Sequence, residues 1–251
     1  MTVLTIAARE LRSLFLSPLA WAVLAVVQFI LAYFFLLYVE QFITFQPSLA
    51  RLENTPGVTD IVVAPLFDSA GIVLLLVTPL LTMRLVSEER RSQTLALLFS
   101  APVSMSEIIL GKYLGILSFM VLMMLMVALM PLSLLAGTSL DIGLYLSGLV
   151  GVLLLAASFA AIGLYMSSLT SQPTVAAVST FGLLLLLWIL DAAGTTGTDN
   201  DRVFSYLSIL RHYQPLLRGI FNSSDIVYYL LFITTFLVLS IRQLDSDRLQ
   251  H

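Results

Sequence analysis

Residues 84–115 read RLVSEERRSQTLALLFSAPVSMSEIILGKYLG, and they decide how the rest of the chain is arranged. Charge is densely packed only here, and long apolar runs lie on either side. In Ser87-Glu88-Glu89-Arg90-Arg91-Ser92 the serine suits a helix N-cap, and the carboxylates suit the positive end of the helix dipole. An apolar ridge follows at Leu95, Leu97, Leu98 and Phe99, and Pro102 stops the helix. A second start falls at Ser104 or Ser106, with Glu107 in its first turn. The spacing predicts a short amphipathic helix over about 87–100, held between two membrane spans. It offers its apolar face to something other than lipid alone.

Composition explains why the flanking runs are spans. The chain has 251 residues, of which 59% are hydrophobic and 11% charged, with a mean hydropathy of +1.00. Globular domains carry roughly 25% charged residues. An ordinary soluble domain is therefore excluded, and an all-α polytopic membrane protein of about six helices is expected at ~20 residues per span. One transmembrane domain is expected to cover 1–251. The absence of cysteine excludes a disulfide, a thiolate metal site and a cysteine nucleophile. No small-residue cleavage site follows the first apolar run, so it is expected to be retained as a span.

Taken in order, residues 2–16 predict an interfacial helix with Leu4, Ala7, Ala8, Leu11 and Phe15 near one face. Ser17-Pro18 breaks it before the membrane is entered. Spans are predicted at about 19–38, 65–84, 108–135, 142–169, 174–190 and 226–241. Pro79 is expected to kink the second and Pro131 to bend the third. The fourth carries small residues at fourfold spacing, Ser147 with Gly151 and Ala157 with Ala161, which permits close helix packing. Within the long connection before the last span, residues 203–221 are apolar and aromatic but too short to cross. They predict one or two half-inserted helices, broken at Pro215 and Gly219.

Charge orients this scheme. With both termini inside, Arg9, Arg12, Arg84, Arg90, Arg91, Lys112, Arg242 and Arg248 are cytoplasmic, and Arg51, Arg202, Arg211 and Arg218 are outside. Basic residues favour inner loops, so this bias supports the assignment.

Three stretches resemble one family. Glu88 to Val103, followed by Gly111-Lys112-Tyr113-Leu114, is similar to the coupling segment of ABC type 2 transporter permeases, E-E-R/K-R-x-G-T-L-E-L-L-L-x-x-P-V and then G-K. Gln93 stands where that pattern has glycine, and Ala96 where it has glutamate. ARELRSLFLSPLAW, from Ala8 to Trp21, resembles the opening of the gliding-motility-associated branch. His212, Arg218, Gly219, Asp225, Val227 and Tyr228 match the ending of that branch, with Tyr213 in place of its phenylalanine. The copper-processing permeases of nitrous oxide reductase maturation are similar too.

The resemblance implies the membrane subunit of an ATP-driven exporter-type complex in the bacterial inner membrane. Two permease copies, as a homodimer or a heterodimer, would pair with an ABC ATPase dimer that holds ATP and magnesium. It assigns ATPase coupling to Glu88, Glu89, Arg90, Arg91, Thr94, Leu95, Leu97, Leu98 and Phe99. It assigns an outer gate to Leu207, Leu210, His212, Tyr213, Pro215, Arg218 and Phe221. The alternative is a mechanical transducer that moves an extracytoplasmic partner protein and passes no solute.

The residues themselves agree that the chain is not its own motor. A phosphate-binding loop needs glycine five positions before Gly111, and residue 106 is serine. Asp68 and Asp191 lie near outer span ends, which leaves the deep membrane, apart from Lys112 near the inner end of the third span, without the ionisable groups of an ion-coupled carrier. His212 and His251 fall at opposite membrane faces, so neither a metal site nor any cofactor in this chain is expected. An interfacial hydrogen bond is the expected role of His212, with a gate contact as the alternative. Met120, Met123, Met124, Met126 and Met130 crowd the third span, and thioethers bind cuprous ion. Spread over two stripes, 123–126–130 and 120–124, they fit adaptable packing better. No nucleic acid is expected as a partner.

Overall fold

The computed structural model describes residues 2–49, 57–94, 103–193 and 208–250, and among these it is helical with no strand. The helices are α1 (Thr2–Leu16), α2 (Pro18–Leu49), α3 (Ala64–Thr82), α4 (Ser87–Arg91), α5 (Met105–Leu132), α6 (Ile142–Leu169), α7 (Pro173–Ala193), α8 (Ile209–Leu217) and α9 (Ser223–Gln250). A wide π-turn, Thr59–Val63, leads into α3, and a 3-10 turn, Ser133–Ala136, extends α5. Among the described residues, six stretches are long and apolar enough to cross a membrane: Pro18–Gln46, Thr59–Arg91, Met105–Leu135, Ile142–Leu169, Pro173–Leu190 and Ser223–Arg248. The chain is a multi-pass membrane protein. Six crossings return α9 to the end where α1 began. We call this the terminal end and the other the far end.

Local chemistry sets most boundaries. α1 stops at Ser17, and Pro18 opens α2, where its missing N–H costs nothing. Ser104 and Glu107 form a reciprocal capping box at the start of α5, each side chain accepting from the other's backbone N–H. Asp141 caps α6 by accepting from Gly143 and Leu144 at 2.9 and 3.2 Å. Pro79, Pro131 and Pro215 are carried inside their helices, so Pro215 does not divide α8.

Several bounds differ from the sequence expectation. α2 runs well past Tyr38, because no helix breaker intervenes before Pro47. α9 outlasts its apolar run and reaches Gln250, since its polar tail has partners at the terminal end. The expected helix over 87–100 is described only as α4 and the turn to Thr94; residues 95–100 lie outside the described residues. Ser87 does not cap it. Its hydroxyl donates back to the Met83 carbonyl, and the cap comes from Ser167 of α6, whose Oγ accepts from the N–H of Val86 and of Ser87 at 3.1 Å each.

The core centres on α6, which packs against α3, α5, α7, α8 and α9, whereas α2 and α7 turn most of their surface outward. Met120, Met123 and Met124 enter this core, but Met126 faces out, so the stripe 123–126–130 is not a buried face. Polar side chains bridge the helices. Tyr113 donates to the Ala157 carbonyl at 3.1 Å, Tyr145 to Ala128 at 2.7 Å and Gln28 to Met123 at 2.9 Å. Inside a membrane such bonds replace those that water would make.

α1 is more than an interfacial helix, because it lies along α5. Ala7 is buried, and Ile6, Leu11, Leu14 and Phe15 pack on the core, while Leu4 and Ala8 point away. Gly111 and Gly115 make this approach possible. A Cβ on Gly111 would lie 2.6 Å from Ile6 Cβ, and one on Gly115 would lie 2.6 Å from Glu10 Cβ and 3.1 Å from the Ala7 carbonyl oxygen. Gly115→Ala is therefore expected to destabilise the protein by about 1–3 kcal/mol through overpacking. Gly182→Ala in α7 has nothing within 4 Å of its new Cβ and is expected to be neutral or stabilising by up to about 1 kcal/mol. Thermal unfolding of the detergent-purified protein compares the two.

Candidate functional site

α4 is five residues long, too short to hold itself in place. Two of its charged residues anchor it. Glu89 reaches Lys112 of α5 at 2.7 Å, and the same ammonium lies 2.9 Å from Glu10 of α1. The Lys112 side chain is 4% exposed, so its charge stays in the bundle only because two carboxylates answer it. On the other side Arg90 pairs with Asp247 of α9 and donates to the Ser168 carbonyl of α6 at 2.7 Å. One turn of helix is thus tied to α1, α5, α6 and α9.

The opposite face of α4 is open. Glu88, Arg91, Ser92, Gln93 and Thr94 are exposed, and all but Thr94 border a cavity of about 900 Å³ that reaches across to the α6–α7 turn at Ser171–Thr174. Glu88 makes only a loose contact with Arg84, 3.8 Å apart with both side chains 57% exposed. Exposed pairs of that kind contribute at most about 1 kcal/mol. Gln93 holds φ at 57°, the left-handed region that glycine enters most easily.

The far end is built around α8. Its buried face, Ile209, His212, Tyr213, Leu216 and Leu217, lies against the bundle, while Leu210 and Pro215 are half-buried and Arg218 and Phe221 exposed. Tyr213 donates to the Phe67 carbonyl of α3 at 2.6 Å, and Ser147 of α6 donates to Leu216 at 2.8 Å. Tyr229 of α9 donates to Ile209 at 3.0 Å. Burial pushes the Tyr213 phenol well above its ordinary range, so it remains a neutral donor. His212 is buried. Its Nδ1 lies 2.7 Å from Asp225 Oδ1, and its ring stacks on Tyr228 with centroids 4.0 Å apart.

A family model described as ABC-2 family transporter protein matches residues 4–246, nearly the whole chain. The chain belongs to the ABC-2 transporter family. It is therefore a transmembrane permease of the ABC transporter class. No curated protein matches it.

In this ABC-2 permease the residues assigned to coupling divide by direction. Glu89 and Arg90 point inward to partners of the same chain, and Glu88, Arg91 and Thr94 point outward. Leu95, Leu97, Leu98 and Phe99 lie outside the described residues, as does Leu207. Sequence reading placed Lys112 near the inner end of the third span without a partner, and it missed Glu10, Ser167, Ser168 and Asp247. One signal was present: a lysine inside an apolar helix is seldom buried without a carboxylate.

Lys112→Met would leave Glu10 and Glu89 facing each other without a cation. It is expected to destabilise the permease by about 3 kcal/mol. Arg84→Met, which breaks only the exposed pair, is expected to cost less than about 1 kcal/mol. Unfolding midpoints of the two variants in detergent test the difference.

Proposed function

We propose that the chain is the permease subunit of an ATP-driven exporter-type complex, with the terminal end in the cytoplasm and α4 receiving force from a separate ATPase. The observation that carries this reading is the division of α4 into a tied face and an open face. A partner that pushes on Glu88, Arg91 and Thr94 pushes at the same time on α1, α5, α6 and α9, through Glu89 and Arg90. The ridge read from Leu95, Leu97, Leu98 and Phe99 completes the docking element, seated in an apolar groove with charges at its rim.

Arg9, Arg12, Arg84, Arg90, Arg91, Lys112, Arg242 and Arg248 support a cytoplasmic terminal end, since they fall there while Arg211 and Arg218 fall at the far end. In a bacterial inner membrane, two such permeases would flank the substrate route above two ATPases. At the far end α8 takes the part of the gate. Its hydrogen bonds to α3, α6 and α9 make it follow any change in their spacing. The match of His212, Arg218 and Asp225 to the ending of the gliding-motility-associated branch supports membership of that branch, and the His212–Asp225 contact gives two of those residues a joint role.

Arg91→Glu combined with Glu88→Lys reverses the open face and leaves the tied face intact. With the cognate ATPase in vesicles, the double variant is expected to lower permease-stimulated ATP hydrolysis about tenfold at unchanged membrane insertion and melting temperature. Undiminished stimulation would rule out α4 as the input.

A further inference from the structure

A second cavity, of about 390 Å³, opens at the terminal end where α1, the start of α2, the end of α3, α4 and α5 meet. Its wall is half apolar, with Leu14, Leu80 and Leu81, and half charged. We propose that it holds the headgroup of a phospholipid carrying a primary ammonium, a phosphoethanolamine lipid. The assignment does not depend on ATPase coupling.

The charges form two unequal groups. In the deeper one, Lys112 is answered by both Glu10 and Glu89, which leaves one negative charge in surplus. At the mouth, Arg9 is exposed and has no ion pair among the described residues, and Arg84 is engaged only by the 3.8 Å contact with Glu88. A guanidinium at the mouth suits a phosphate, which it grips through two parallel N–H donors. A surplus carboxylate charge suits a cation, and a primary ammonium brings three N–H donors where a quaternary one brings none. A zwitterion bearing both groups fits; a purely anionic headgroup meets the carboxylates.

The apolar half of the lining continues out of the cavity. Leu80 lies on its wall, and Leu76 and Ile72 follow on the same side of α3 at fourfold spacing, 45%, 54% and 49% exposed in that order. From Leu80 to Ile72 the strip climbs about 12 Å at 1.5 Å per residue. One leaflet of the hydrocarbon core is about 15 Å thick. A strip of that length, starting beside a headgroup-sized cavity, accommodates an acyl chain of the same molecule.

The test is native mass spectrometry of the detergent-purified full chain, equilibrated separately with palmitoyl-oleoyl lipids bearing phosphoethanolamine, phosphocholine or phosphoglycerol. One phosphoethanolamine lipid per chain is expected to be retained, about tenfold more than either of the others. Arg9→Gln, on the exposed side of α1, is expected to lower that retention about tenfold, and Arg12→Gln, outside the cavity lining, to leave it unchanged. Leu76→Trp, which obstructs the strip without altering charge, is expected to weaken it as well. Equal retention of the three lipids, preference for phosphoglycerol, or retention unchanged in Arg9→Gln overturns the assignment; retention unchanged in Leu76→Trp overturns the acyl path.

Discussion

A lysine ammonium cannot sit in a bundle of apolar helices unless something of opposite charge comes to it, and the terminal end is arranged to satisfy that demand. Lys112 lies about two turns into the third crossing, and Glu10 and Glu89 both reach it within 3 Å. The pull is strong because the ammonium itself is almost wholly removed from solvent. It draws α1 onto α5 at a separation that only the glycines of the seam allow, and it holds a helix of five residues that would otherwise have no reason to persist. Removing the cation leaves two carboxylates side by side, so the arrangement holds as a unit or fails as one.

Away from that end the bundle is joined by neutral donors. Tyrosine and serine hydroxyls on α5, α6, α8 and α9 find backbone carbonyls of neighbouring helices, α3 among them, the group a membrane interior always has available. Such bonds fix spacing without burying charge, and they leave the helices apolar where lipid meets them. The two ends therefore differ in emphasis: one is tied by ion pairs to a surface segment, and the other by hydroxyl hydrogen bonds and the buried His212–Asp225 contact to a short helix packed on the crossings.

Under the proposed coupling, that difference would give the permease a direction of force. An input at α4 is met by ties to four helices, none of which it could move alone, and α8 is bonded to three helices at the opposite end. In that proposal these residues transmit a displacement, and the paired charges of α4 supply the ties that carry it.

Much of this was legible in the amino-acid sequence. Apolar run lengths define the crossings; Ser104 with Glu107, Asp141 and Ser17-Pro18 mark boundaries through bonds to their own neighbours; the charged stretch at 87–94 stands out as the surface segment. Gln93, the departure from the glycine of the related pattern, proved to be the one non-glycine residue with positive φ among the described residues. These features are local, so the order of residues suffices to determine them. The partners were decided by tertiary structure: Lys112 meets carboxylates 102 and 23 residues away, Arg90 meets Asp247 across 157 residues, and Ser167 caps a helix 80 residues before it. A charge in sequence states only that it needs a counter-charge. Which one it receives depends on which helices become neighbours, and the packing of apolar surfaces, indifferent to charge along most of their length, settles that first.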